Sequence, residues 1–343
     1  MPTAKIKMLV LSLTGRCNYA CRYCYAADHD SSVMTAQTAR RAIDIAAQSG
    51  EPFILQFSGG EPLLNFDTLQ AAVAYVEEQH LPAAMQVQTN GSLLTDEIAQ
   101  FLYQHKVAVG VSLDGRPAVN DRLRLLQNGK GATSATVRGL EVLKRNNIAC
   151  GITCVVTSEN VRELPGIVEF AYFLGNVRRI GFDLLRGQGR GAGLKPPQAD
   201  EMETAIQAVY QKASYLAKLA GYKIHFSQID KAASACQTGC HEFNHCTAMN
   251  GEAAFVDAKG DIYACASMVG DSNFYIGNVN DGLDEQLMQK VQQQISQAME
   301  FCRCCDSFKK CGGGCFARWY GSGQRQPYLS ECVLKKISAA WVK

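Results

Sequence analysis

The chain has 343 residues, 47% of them apolar and 19% charged, which excludes a disordered or collagen-like chain and leaves room for two domains or one large domain with an appendage. A formal net charge of +2 gives no field that would make nucleic acid or an acidic membrane an obligatory partner. No apolar run approaches the roughly 20 residues of a membrane helix, so no nucleic acid and no membrane is expected, and the 15 cysteines are where the chemistry is concentrated.

The opening MPTAKIKMLVLSL places two lysines before a short apolar run, but no small-residue cleavage site follows and it leads straight into cysteines; it reads as a strand of a cytoplasmic protein. Short apolar or alternating runs recur at 5–13, 52–58, 84–90, 107–115, 150–157 and 178–186. Between them lie amphipathic stretches at 35–48, 67–79, 95–105, 136–146 and 161–174, several opening on Thr or Asp as N-caps. Six strands alternating with helices predict a parallel sheet of βα units. A closed eight-unit barrel needs about 250 residues, so the expected α/β fold is a partial (β/α)6 TIM-like barrel over residues 1–230. A further helical stretch at 199–222 leads into residues 231–343, a Gly-, Cys- and Asn-rich region of little periodicity, expected to form a small cysteine-rich domain with metal clusters as folding staples. In the reducing cytoplasm such thiols bind metal more readily than they form disulfides.

Cys17, Cys21 and Cys24 form C-x3-C-x2-C directly after the first predicted strand. Three thiolates on one short loop can hold three irons of a [4Fe–4S] cube and leave the fourth to an exogenous ligand. Zinc is the alternative, although it would want a fourth Cys or His at matching spacing.

With Tyr23 just before its last cysteine, this motif resembles that of the radical S-adenosylmethionine (SAM) superfamily. Four further segments match in order. Ser58-Gly59-Gly60-Glu61-Pro62 is similar to the family's GGEP segment on the methionyl amine of SAM; Thr89-Asn90-Gly91 and Ser112-Leu113-Asp114-Gly115 follow, and Arg124 stands at the spacing of the family's arginine on the SAM carboxylate. The resemblance, over residues 6–190, implies a [4Fe–4S] cluster on Cys17, Cys21 and Cys24. It further implies SAM bound through Tyr23, Ser58, Gly59, Gly60, Glu61, Asn90, Ser112, Asp114 and Arg124, and a reducing donor such as flavodoxin or ferredoxin. All these motifs fall at carboxyl ends of predicted strands, where (β/α) folds gather functional residues.

From Cys236 the spacing runs Cys236-x3-Cys240-x5-Cys246, Gly260-x4-Cys265, Cys302-x2-Cys305-x5-Cys311-x3-Cys315 and Cys332, and from Cys246 onward this resembles the SPASM extension of radical SAM peptide-modifying enzymes. The resemblance implies two auxiliary [4Fe–4S] clusters, three clusters in all: Cys240, Cys246, Cys265 and Cys315 would hold one, and Cys302, Cys305, Cys311 and Cys332 the other. If Cys240 points away, or Cys236 competes with it, the first has an open iron. Two zinc ribbons are the alternative, but they would prefer paired C-x2-C units.

Cys150 and Cys154 share one face of a predicted strand and are expected to pack as small hydrophobes, with Cys304 a bystander. The basic stretch from Arg178 to Lys195 with its GQGRGAG is either a peptide- or SAM-contacting loop or a solvated one. His225, His241 and His245 read as exposed linker histidines. Ala266 follows Cys265 where the resembling sulfatase maturases carry a general-base aspartate, which disfavours formylglycine formation; Asp271 is the candidate substitute. The segment around it, VGDSNFYIGNV, resembles thioether-forming maturases. The expected function is oxidative crosslinking of a small ribosomal precursor peptide by a thioether or carbon–carbon bond, its leader met by the barrel–SPASM surface or by a separate leader-binding protein. A formylglycine maturase or peptide epimerase is the alternative, and a non-catalytic iron–sulfur or zinc scaffold the alternative of another class.

Overall fold

The structure, a computed structural model, describes residues 5–238, 246–321 and 328–342. Its centre is one sheet in which the predicted strands all form: β1 (Met8–Ser12), β2 (Phe53–Ser58), β3 (Ala83–Thr89), β4 (Ala108–Ser112), β5 (Cys150–Val156) and β6 (Val177–Leu184). They lie side by side in chain order and parallel, so every carboxyl end reaches the same rim. The register is set by inward positions, as in β5, where Cys150, Ile152, Cys154 and Val156 are buried on alternate residues. Both cysteines therefore pack as the small hydrophobes expected.

Helices follow the strands for local reasons. The Thr35 hydroxyl accepts from the Thr38 amide at 3.1 Å to start Ala36–Ala47, and the Thr95 hydroxyl accepts from the Ile98 amide at 3.2 Å to start Asp96–Gln104. Gln198 and Glu201 form a reciprocal cap on the long helix Ala199–Ala220, which ends on Gly221 at φ 75°.

The sheet is larger than the sequence suggests. A two-residue strand, β7 (His225–Phe226), extends it beyond β6, too short to leave a periodic signal. On the other side β8 (Ala253–Val256) runs parallel to β1, followed by the antiparallel β9 (Asp261–Tyr263), β10 (Tyr275–Asn278) and β11 (Gly282–Leu283). Among the described residues the order is linear from β11 to β7, an open sheet. The cysteine-rich region also buries more apolar side chains than its composition implied. Phe274, Ile276, Met288, Val291, Ile295 and Met299 are buried in the same hydrophobic core as the parallel sheet, because Glu285–Ala298 is an amphipathic helix.

Candidate active site

The loop after β1 carries Cys17, Cys21 and Cys24 over the rim where the strands end. Cys21 is buried in a second apolar cluster with Tyr19, Tyr23, Leu123, Ala132 and Leu185, and the half-buried Cys17 and Cys24 pack against it. Burial pushes the Cys17 thiol up to about 11 and raises that of Cys21; the charges of Cys21 and Cys24 raise Cys17 further, and that of Cys24 raises Cys21. Taking up iron would draw the protons off these thiols.

Glycines let β2 approach this loop. A Cβ on Gly59, at φ 141°, would lie 2.4 Å from the Thr14 carbonyl oxygen, and one on Gly60 would lie 2.3 Å from that of Arg16. The space is used by backbone hydrogen bonds: the Gly60 amide donates to Thr14 at 2.7 Å and the Glu61 amide to Arg16 at 2.9 Å. The Ser58 carbonyl accepts from the Leu13 amide at 2.9 Å.

Glu61 is fully buried, and its carboxylate faces β3 instead of the open rim. It accepts from the Leu63 amide at 3.1 Å, the Thr89 hydroxyl at 2.6 Å and the Asn90 amide at 2.8 Å. Burial raises its pKa, and these donors oppose that rise. The Asn90 side chain donates to Asn18 at 2.8 Å and reaches Cys17 Sγ at 4.0 Å, joining β3 to the cysteine loop. The Ser112 hydroxyl accepts from Gln88 at 3.0 Å.

Tyr23, Asp114 and Arg124 form one buried unit. The Tyr23 hydroxyl donates to Asp114 Oδ2 at 2.5 Å and accepts from Arg124 Nη1, which lies 3.8 Å from the same carboxylate oxygen. Asp114 Oδ1 accepts from the Val155 amide at 2.8 Å, so the group is anchored to β5. Among the described residues Arg124 Nε is buried without a hydrogen-bond partner, a donor left unpaired there. Clustered buried thiols, glycine-cleared backbone and this spare guanidinium donor fit an iron–sulfur group with a carboxylate-bearing ligand.

The structure also groups the later cysteines. Cys315 and Cys265 raise the thiol pKa of Cys246, on top of a burial effect that takes it to about 12, and Cys315 raises that of Cys265. Cys302, Cys305 and Cys311 all act on Cys332, which burial pushes up to about 11. Cys240, His241 and His245 lie outside the described residues. Cys304 and His225 are exposed. Both Asp271 carboxylate oxygens are engaged, Oδ1 capping a short turn from the Asn273 amide at 3.0 Å and Oδ2 accepting from the Tyr320 hydroxyl at 3.0 Å.

The glycine-rich loop is not simply solvated. The Arg190 amide donates to the Cys24 carbonyl at 3.0 Å and its Nε to the Cys21 carbonyl at 2.8 Å, so the loop clamps the cysteine loop. Gln127 does the same from the other side, its Nε2 donating to the Cys17 and Tyr19 carbonyls at 2.9 and 3.0 Å. No sequence motif marks Gln127; the glycines around Arg190 were the signal for that side.

The profile of the Radical SAM superfamily matches residues 11–171. An uncharacterized protein of Methanocaldococcus jannaschii is 34% identical over 298 residues, covering 86% of this chain and 96% of that protein. The AdoMet-dependent heme synthase of Methanosarcina barkeri is 28% identical and covers 95% of each. The solved structure of native anSMEcpe with bound AdoMet and Cp18Cys peptide superposes with a TM-score of 0.77 at 20% identity, over 97% of this chain and 95% of that one, so the fold is shared through the cysteine-rich region. Among the described residues no helix is long and apolar enough to cross a membrane. With its three-cysteine loop, its glycine-cleared β2 rim and these similarities, the chain belongs to the radical SAM superfamily.

Proposed function

We propose that this chain is a SPASM-type oxidative maturase that closes a thioether or carbon–carbon crosslink within a ribosomal peptide. The observation that carries the reading is Tyr25. Burial takes its hydroxyl to about 12, and both Cys24, of the first cysteine loop, and Cys265, of the second thiol group, act on it. Both thiol groups are thus near enough to Tyr25 to act on its hydroxyl, and the Arg186 guanidinium lies 4.8 Å over its ring.

Cys17, Cys21 and Cys24 would hold a [4Fe–4S] cluster, and that group together with SAM would supply one-electron chemistry able to activate a substrate C–H bond. The chain's own part is to hold and shield. Arg124 offers its free Nε–H to the SAM carboxylate, Gly59 and Gly60 let the backbone come close, and the apolar cluster around Tyr19 and Leu185 excludes water from a radical. Closure of the bond requires loss of one further electron, which a redox group held by Cys240, Cys246, Cys265 and Cys315 would be able to accept. Cys302, Cys305, Cys311 and Cys332 would hold the second auxiliary cluster. A fold neighbour that binds AdoMet and a peptide together supports a peptide substrate. An external one-electron donor and a separate leader-binding protein complete the reading.

The full-length similarity to a heme synthase favours one second reading, in which the same site acts on a haem precursor. Anaerobic co-expression with the small peptide encoded nearest the gene, followed by mass spectrometry with and without thiol alkylation, separates the two. Loss of two hydrogens per link supports the maturase, with blocked cysteines meaning thioethers and free ones carbon–carbon bonds. An unchanged peptide, together with turnover of an iron porphyrin by the reduced enzyme, replaces that reading with the second.

A further inference from the structure

A partly buried chain of charges joins the carboxyl end of β6 to the C-terminal helix Leu329–Ala340. Asp183 accepts from Arg186 Nη1 at 2.8 Å and from Arg318 Nη2. Arg318 turns Nη1 to Glu331 Oε1 at 2.6 Å and Nε to the Leu184 carbonyl at 3.3 Å. Glu331, 3% exposed, uses its other oxygen to accept from the Cys315 amide at 3.1 Å, and Lys335 stands 3.5 Å from Oε1. The Cys315 charge acts on both Arg186 and Arg318, and Arg186 acts on Cys265. Two carboxylates and three cations are therefore linked beside Cys315, Lys231 adds a fourth cation that interacts with Asp183, Arg318 and Cys315, and Glu331 and Lys335 also act on Cys302 and Cys311.

Such a network is a weak device for stability. Removing ions from water costs about what their pairing returns, and apolar residues of the same size do as well or better. Its position has a different consequence, because charges in a poorly polarisable surrounding act strongly on a redox group beside them. Adding an electron makes an iron–sulfur group more negative; the Arg318 cation favours that state and the Glu331 anion opposes it. Glu331 also fixes the backbone that presents the Cys315 thiolate.

We propose that Arg318 and Glu331 are positioning residues that set, with opposite signs, the reduction potential of the iron–sulfur group held by Cys246, Cys265 and Cys315. This rests on the reading above that these cysteines hold such a group. The tuning is by fixed charge, so it follows the sign of the charge removed and not merely the loss of a contact.

The test is potentiometric titration of the anaerobically reconstituted full-length protein, monitored by electron paramagnetic resonance, with Cys17, Cys21 and Cys24 replaced by Ala to silence the first cluster. E331Q and D183N are expected to raise the potential and R318Q to lower it, each by about 59 mV, a tenfold change in a one-electron equilibrium, while R318K stays at the parent value. Shifts of one sign in all variants, or none, at parent iron content would overturn the inference. If R318Q loses iron, upward shifts in E331Q and D183N with an unshifted R318K uphold it, and any other pattern sinks it. A parent protein with no iron once the first three cysteines are gone would instead remove the auxiliary-cluster reading itself.

Discussion

The Asn90 amide donates to Glu61 Oε2 at 2.8 Å, so the carboxylate just past β2 holds the end of β3. The other two donors on the same carboxylate, the Leu63 amide and the Thr89 hydroxyl, make Glu61 a knot between adjacent strand ends. Glu61→Ala would leave all three donors buried and unpaired, a loss of about 3 kcal/mol or more. Denaturant unfolding should show that loss, and SAM affinity should fall at least tenfold because Asn90 and the cysteine loop move with it. Glu61→Gln keeps one acceptor but turns a donor toward one of these groups, so its loss should be smaller; equal stability of Glu61→Ala and wild type would refute the knot.

Gly60 tests the close approach of β2 to the cysteine loop. A Cβ there meets the Arg16 carbonyl carbon at 2.6 Å as well as its oxygen, and backbone cannot rotate away as a side chain would. Gly60→Ala should therefore displace the loop and lower both iron content and SAM cleavage by tenfold or more. Gly193→Ala is the control, since a Cβ at Gly193 meets nothing within 4 Å, and it should leave both unchanged. Iron assay and 5′-deoxyadenosine release measure the pair, and equal behaviour of the two variants would count against the steric argument.

What the sequence made legible was whatever is local. The alternation of Cys150, Ile152, Cys154 and Val156 marked β5 and its buried face, and the motifs at strand ends marked one rim. What stayed hidden depends on pairings far apart in the chain. β8 binds β1 across some 240 residues of sequence, and Arg318 meets Asp183 135 residues away. Neither a four-residue strand nor a lone arginine carries a periodic signal, and Glu331 next to Cys332 gave no hint that it would bond the amide of Cys315. Asp271 gave no hint in sequence of its own partners, the Asn273 amide of a short turn and the hydroxyl of Tyr320, 49 residues away.

Cys154 separates packing thiols from metal-binding ones. It is fully buried, and burial raises its thiol far above the ordinary value. Cys154→Ala should leave the iron content at the wild-type level while lowering stability by about 1 kcal/mol, the cost of one small buried group. Cys21→Ala should do the reverse for function, removing SAM cleavage and one cluster's iron. Loss of iron in Cys154→Ala would reassign that cysteine.

Asp183 predicts a pH window for stability. Burial alone would raise its pKa, but Arg186 and Arg318 outweigh burial and hold the carboxyl at about 2, below the ordinary 3.8. The unfolded chain therefore binds the proton more tightly than the folded one. The contribution is complete above about pH 4 and is lost as pH falls through the folded value, to a total of at most about 2 kcal/mol. Comparing wild type with Asp183→Asn by denaturant unfolding isolates it, because the asparagine has no proton to gain. Their stability difference should be flat from neutrality down to about pH 4 and then shrink toward pH 2. A difference that stays constant across that window would mean that Asp183 is not held ionised by the two arginines, and the charge chain from β6 to Cys315 would lose its first link.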